Sequence, residues 1–241
     1  MLTSLDVTNL NYREINDRLR DIHGDVRVSG CCGQRFIAAG FSSRKIVIDG
    51  IPGNALGSYL NGAEIIVNGN AQDAVGDTMN DGKIVVNGDV GDAAGYAMRG
   101  GKLYIKGNTG YRTGIHMKEY QHKKPVIVIG GKCGSFLGEY QAGGIIIVLG
   151  LSGSIGSIAD GFPFAGMHGG KVFLRTGAES IDVPENVTAS SASAEDMSEI
   201  KEYISEFCSE FGYDMGKIMD APFTKIVPDS ANPYKRMYAA N

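Results

Sequence analysis

The chain has 241 residues, 43% of them apolar, and a formal net charge of −4, which is enough length and apolar content for a sizeable core. It contains no lysine or arginine run, which argues against nucleic acid or an anionic membrane surface as a partner, and no apolar stretch approaches the ~18 residues of a membrane span. Thirty-five glycines stand against seven prolines without a collagen triplet, so the excess glycine is expected to serve regular turns. The amino terminus, MLTSLDVTNLNYRE, lacks the charged and apolar blocks of a leader. Four cysteines, Cys31, Cys32, Cys133 and Cys208, form no CxxC pair. Together these predict an unprocessed cytoplasmic protein with reduced, structurally packed thiols.

The first element is a short amphipathic helix over Asn11 to Ile22, with Tyr12, Ile15, Leu19 and Ile22 on one face and Asn11 and Glu14 spaced as a capping pair. Residues 1–24 are read as this helix and its lead-in. From Val26 the chain changes character. Glycines recur at Gly50, Gly69, Gly88 and Gly107, a period of 19 residues, and a second set at Gly57, Gly76, Gly95 and Gly114 keeps the same period. A repeat of this length marks a solenoid, in which each unit buries its apolar face only against its neighbours.

Strands alternate faces with a period of two, so counting back from the landmark glycine sorts the side chains. Four residues before it stand Val26, Ile46, Ile65, Ile84, Leu103, Val126 and Ile146; two before it stand Val28, Ile48, Val67, Val86, Ile105, Val128 and Val148. These two aliphatic columns are the expected interior of stacked parallel strands. The column between them, Arg27, Val47, Ile66, Val85, Tyr104, Ile127 and Ile147, should face outward yet is too apolar for a solvated face. Either the chain's own terminal segments or another subunit must cover it. Leu60, Met79, Met98 and Met117, three residues after the second glycine set, are read as one more packed column.

After Gly114 the period loosens. With Gly130 taken as the next landmark, about four extra residues fall near Glu119 to Lys123; Gly150 follows, and a longer excursion, Leu151 to His168, precedes the last repeat, GGKVFLRT at Gly169 to Thr176. The count is eight coils over residues 25–177, closing at Gly30, Gly50, Gly69, Gly88, Gly107, Gly130, Gly150 and Thr176. At ~4.8 Å between strands the rod is on the order of 35–40 Å long. The predicted fold is therefore all-β dominated, a right-handed, single-stranded parallel β-helix flanked by short helices. In residues 178–241, Ser180 to Ser191 is polar and turn-rich. Ser193 to Phe211 reads as a second amphipathic helix, with Ser193 and Asp196 at its start and Gly212 at its stop, and the tail with Pro222, Pro228 and Pro233 as an extended segment.

No constellation of residues carries strong chemistry. The run VIVIGGKCGSFLG at Val126 to Gly138 has Lys132 where a dinucleotide fingerprint needs its second glycine, and no phosphate-loop motif is present. Asp73 and Asp92 occupy one column of adjacent coils, about 5 Å apart, which suits either paired carboxylates or a solvated corner. His116 and His168 each follow a repeat glycine by two residues, with Tyr140 from the coil between, and ~10 Å is too far for one metal. Cys133, beside Lys132 in a turn, is the one thiol worth testing for reactivity. The excursion Ile115 to Lys124, with His116, Lys118, Glu119, Tyr120 and His122, is either a solvated loop or a docking surface for a partner.

The motif set NGNAQDAVGDTMNDGKIVVNGD, GYAMRGGKLYIKG, GYRTGIHMKEY, PVIVIGG, FLGEYQAGGIIIVLG and GMHGGKVFLR, with GQRFIAAG at Gly33 to Gly40, closely resembles the GXGXG domain of the glutamate synthase large subunit, in its stand-alone form. The likeness runs from about Tyr12 to about Thr176. It implies a structural β-helix with no catalytic, cofactor-binding or metal-binding residue of its own. FMN and an iron–sulfur cluster would sit on a partner synthase subunit, and a glutaminase-type amidotransferase subunit would be the second partner, together converting glutamine and 2-oxoglutarate to glutamate. The same repeats also resemble subunits of N-methylglutamate synthase and formylmethanofuran dehydrogenase. A stand-alone β-helix enzyme acting on a polysaccharide through Asp73 and Asp92, or a β-helix that only oligomerises with itself, are the readings outside this class. The expected interaction surface is the outer column Val47, Ile66, Val85, Tyr104, Ile127 and Ile147, with His116, Lys118, Glu119 and Tyr120 from the excursion.

Overall fold

The computed structural model describes residues 2–153 and 158–232; Pro233 and part of the Leu151 to His168 excursion lie outside them. The elements in order are β1 (Thr3–Asp6), α1 (Tyr12–Asp21), β2 (Val26–Cys32), β3 (Lys45–Ile51), β4 (Asn61–Asn68), β5 (Asp81–Val86), β6 (Lys102–Ile105), β7 (Val126–Ile129), β8 (Ala142–Val148), β9 (Gly169–Leu174), a 3-10 turn (Ala178–Ser180), β10 (Val187–Ser191), α2 (Ala194–Phe211), α3 (Met215–Met219) and β11 (Thr224–Pro228). Strands β1 to β9 stack in chain order and in parallel, and β11 and β10 then close that end antiparallel. Strands β2 to β9 are the strands of the eight expected coils.

The inner ladder is as read from the sequence over most of its length: Ile46, Ile65, Ile84 and Leu103 are aligned residue for residue and fully buried, as are Ile48, Val67, Val86 and Ile105. The Leu60, Met79, Met98 and Met117 column is likewise without exposure. Helix α1 closes the amino-terminal end. Asn11 caps it through bonds from the Arg13 and Glu14 amides, and Glu14 accepts the Asn11 amide in return. Ile15 and Leu19 pack into the core, and buried Asn16 ties the helix to the first coil through the Phe36 carbonyl and the Ala38 amide.

Three sequence expectations are corrected here. In β7 the register is displaced by one residue: Ile127 pairs with Leu103 and Ile146, and Ile129 with Ile105 and Val148. Ile127 and Ile129 therefore belong to the inner columns, and Val126 and Val128 to the outer face. The landmark is Gly131, whose amide bonds the Gly107 carbonyl, and Gly150 in turn bonds Gly131. Gly131 follows Gly107 by 24 residues and precedes Gly150 by 19, so the insertion is five residues and the period then resumes. It forms a tight turn in which the Tyr120 and Lys123 backbones bond each other. At the first coil a bulge in β2 likewise pairs Cys31, not Gly30, with Gly50. Finally, the tail is not simply extended: it supplies α3 and β11, and the polar segment before α2 supplies β10.

Helix α2 runs back along the outer face of the strands. Ser193 and Asp196 form its capping box and Gly212 ends it in a left-handed conformation. Ile200, Ile204, Phe207 and Cys208 pack on Val85, Tyr104, Val128, Ile147 and Phe173. Its edges are pinned by charge: Lys225 to Asp196 at 2.7 Å, Lys171 and Lys124 to Glu199 at 2.6 and 3.2 Å, Lys102 to Glu206, and Lys83 to Glu210 at 2.7 Å. The Tyr104 hydroxyl donates to Glu206 at 2.7 Å. Burial at the helix start would raise the Asp196 pKa, but the Lys225 ammonium and the Ser193 cap outweigh it and hold the carboxyl at about 2. The pKa of Glu206 is lowered in the same sense, with Lys102 and Tyr104 overriding desolvation.

A depressed carboxylate contributes stability that is complete above its unfolded pKa and lost as pH falls through the folded one. The Asp196 contribution, on the order of 2 kcal/mol, should be present at pH 5 and lost as pH falls from about 4 to about 2. Urea titrations at pH 5 and pH 2.5 check this. In Asp196→Asn the pH-dependent loss should be smaller than in the wild type.

Candidate interaction surface

Each coil has an arc opposite its glycine-led strand, and the arc is where the second glycine set works. Three alternate residues per coil are left-handed: Ala55, Gly57 and Tyr59 in one coil, and Arg112, Gly114 and His116 in a later one. The middle position also touches the core. A Cβ on Gly114 would lie 2.4 Å from Ile146 Cδ1, and φ there is +72°. Glycine is required at that position for both reasons. The outer two positions point away from the core, so larger side chains fit there.

Rings occupy several of those outer positions, Phe36 and Tyr59 in the first coils and His116, Phe136, Tyr140 and Phe162 in the later ones. Arg112, Phe136 and Phe162 form one column, with the Arg112 guanidinium 4.7 Å over Phe136 and Phe136 stacked on Phe162 at 5.9 Å. His116 and Tyr140 form the other, stacked at 5.3 Å with planes 8° apart, and Tyr96 meets His116 edge-on at 6.1 Å. Glu139, between the columns, accepts from Arg112 Nε at 3.0 Å.

The expected surface residues divide between two faces. Val85, Tyr104 and Ile147 lie beneath α2, Ile66 is partly buried against the same cluster, and Val47 is buried. Ile127 is inside the solenoid because of the displaced β7 register. Over β5 to β9 the chain's own helix is therefore the cover that the apolar column demanded. His116, Lys118, Glu119 and Tyr120 are exposed on the arc side. Lys118 keeps the coil register through its amide bond to the Met98 carbonyl, Tyr120 lies in the insertion, and Glu119 accepts the Gly144 amide at 3.1 Å. The rings of Phe136, Tyr140 and Phe162 were missed. Phe136 and Tyr140 stand two residues to either side of Gly138, and Phe162 stands two residues before Phe164, which takes the middle position in the last arc.

The residues weighed for chemistry make contacts within the fold. Asp73 accepts the Asp92 amide at 2.9 Å, and Asp92 accepts the Tyr111 amide at 2.8 Å, so each carboxylate satisfies the backbone of the next coil. His168 lies two residues beyond Gly166, the residue that continues the His116 and Tyr140 column; its amide bonds the Gln141 carbonyl and its Nδ1 lies 3.0 Å from the Gly166 carbonyl. Among the described residues no three His, Cys, Asp or Glu side chains gather as a metal site, and no helix is long and apolar enough to cross a membrane.

Cys133, the thiol singled out for reactivity, is buried, and desolvation pushes it up to about 12; Cys31 is pushed up to about 11 for the same reason. Cys32 is exposed. Because the thiolate is the nucleophile, a thiol reagent should label Cys32 first in the native protein and Cys133 only on unfolding. Peptide mass mapping over a labelling time course checks the order; early native labelling of Cys133 would contradict it.

Comparison with known proteins agrees with the repeat geometry. The profile described as "GXGXG motif" matches residues 9–231. An uncharacterized protein of Methanocaldococcus jannaschii, MJ1350, is 40% identical over 248 residues, covering 97% of this chain and 95% of that protein. The alternate left-handed residues of the arc have the spacing of that motif, G-X-G-X-G, with the middle glycine kept in most coils. The chain belongs to the GXGXG motif family.

Proposed function

We propose that this chain is a non-catalytic structural subunit of a glutamate synthase-like amidotransferase assembly. In that assembly a glutaminase subunit releases ammonia from glutamine, and a synthase subunit bearing FMN and an iron–sulfur cluster uses it to make glutamate from 2-oxoglutarate. The observation that carries the reading is the family match across residues 9–231, which spans the solenoid and both flanking helices. Supporting it, the residues that most resembled catalytic groups are engaged in the fold: Asp73 and Asp92 hold neighbouring backbone amides. The chain would act by holding the other subunits in a productive arrangement.

Reconstitution tests this. The purified glutaminase and flavin-bearing synthase subunits of the same organism are assayed for glutamine-dependent glutamate formation with and without this chain. The reading predicts a rise in coupled activity that saturates at a fixed stoichiometry. No change at any ratio would contradict it.

A further inference from the structure

The exposed rings of the arc are a feature the fold itself does not require. They stand at left-handed positions, φ +58° at Arg112, +65° at Phe136, +51° at Tyr140 and +57° at Phe162. Glycine adopts this conformation freely and bulky residues adopt it at a cost. The three coils before Arg112 place Ala55, Ala74 and Ala93 in the same column, so small residues satisfy the geometry, and the first coil places Phe36 there. Phe162 is nevertheless 76% exposed and Tyr140 37%. None of Phe136, Tyr140 and Phe162 joins the core clusters, so their strain is not recovered in the core.

We propose that this arginine–aromatic patch is the docking surface for a different protein chain, one presenting an apolar centre flanked by lysine or arginine residues. The inference rests on the assembly reading above and names the face of the rod that carries it. The composition of the patch is that of a binding hot spot, where aromatic residues and arginine predominate. Its rings are already stacked, so little side-chain freedom remains to be lost on contact. Arg112 is held by Glu139, which leaves the centre without net charge.

The rim decides the partner's chemistry. By register, Asp92 and Asp73 continue the Tyr111 column into the preceding coils, and Asp77 continues the Tyr96 column. Among the described residues none of these three carboxylates has a lysine or arginine within ion-pair distance. In register the nearest cation is Arg112, one residue along from Tyr111 and held by Glu139; Arg35 stands in the Asp73 column two coils away, and Arg99 and Lys118 lie beyond the end of the arc. An acidic rim beside an apolar centre is complementary to a basic rim on the partner. It repels a nucleic-acid backbone, and a second copy of this chain would bring further carboxylates where cations are needed.

The test is calorimetric titration of the wild-type chain with the purified flavin-bearing synthase subunit and, separately, the glutaminase subunit of the same organism. The double variant Tyr140→Gly/Phe162→Gly removes two rings from left-handed positions. Its thermal midpoint should stay near that of the wild type, so lost binding would not reflect lost fold. It is expected to weaken the subunit that binds at least tenfold. Asp77→Lys should weaken it several-fold and flatten its dependence on salt, whereas Tyr12→Ser, at the far end of the rod, should leave it unchanged. Wild-type affinity in the double-glycine variant would overturn the docking surface and leave the assembly reading standing. No binding of the wild type to either subunit would overturn both. Self-association abolished by the same variant would assign the patch to a second copy and overturn the proposal.

Discussion

Gly114→Val lowers the stability of the folded chain by about 2–5 kcal/mol, from ~1–2 kcal/mol for a side chain forced into the left-handed region and ~1–3 kcal/mol for overpacking. Both contributions are present at this position. The backbone has φ +72°, and the added Cβ would meet Ile146 Cδ1 at 2.4 Å, inside the aliphatic ladder that every coil shares. Ile146 is paired on both sides, with Ile127 and Val172, so it cannot retreat without disturbing two neighbouring coils. The internal control is His116→Gly, two residues along the same arc, at φ +55° and exposed. Relief of backbone strain there offsets the loss of the Tyr140 stack, and stability should change by less than ~1 kcal/mol. Urea unfolding with a constant slope checks both. Equal losses in the two variants would mean that the middle glycine holds no special place.

Phe207→Ala has an effect of similar size but different extent. The ring is fully buried, 4.8 Å from Phe211 and 5.6 Å from Tyr213, and it presses on Gly130, where an added Cβ would lie 2.9 Å from its Cζ. Removing such a ring costs about 3–5 kcal/mol. The strands beneath α2 take their ladder bonds from neighbouring strands and none from the helix, so the loss should appear first as undocking of α2. In hydrogen exchange, protection falls over residues 194–211 while the amides of β4 to β6 stay protected. Simultaneous loss in helix and strands would show that α2 belongs to the same cooperative unit as the solenoid.

These two sites differ in how far the sequence exposes them. Gly114 is legible because the 19-residue period puts it in a column with Gly57, Gly76 and Gly95. The same counting failed at the next strand, for a physical reason. A strand read one residue out of register presents its other face, and in Val126-Ile127-Val128-Ile129 every residue is aliphatic, so neither face looks wrong. The adjacent Gly130 and Gly131 offer two landmarks with equal claim. Only the backbone bonds from Gly131 to Gly107 and from Gly150 to Gly131 choose between them.

Helix α2 was legible as a helix, from its apolar spacing and its caps, but its seat was not. Docking depends on the match of Glu199, Glu206 and Glu210 to Lys171, Lys102 and Lys83, more than a hundred residues apart in the case of Glu206 and Glu210. Strands β10 and β11 escaped notice because they repeat nothing, and β11 gains its place only by pairing with β9 and β10. The apolar outer column correctly demanded a cover; the sequence left open whether that cover was this chain or another. With α2 seated there, the exposed rings of the arc become the larger unexplained apolar surface, and the expected contact moves from one face of the rod to the other.

The central claim, that this chain works as a structural part of a larger enzyme, is tested most directly by native mass spectrometry of the assembly purified from the source organism through an affinity tag on this chain. The account predicts a particle of defined mass containing this chain, a glutaminase-type subunit and a synthase subunit carrying FMN and an iron–sulfur cluster. Recovery of the tagged chain only by itself, as a monomer or a homo-oligomer, would contradict it.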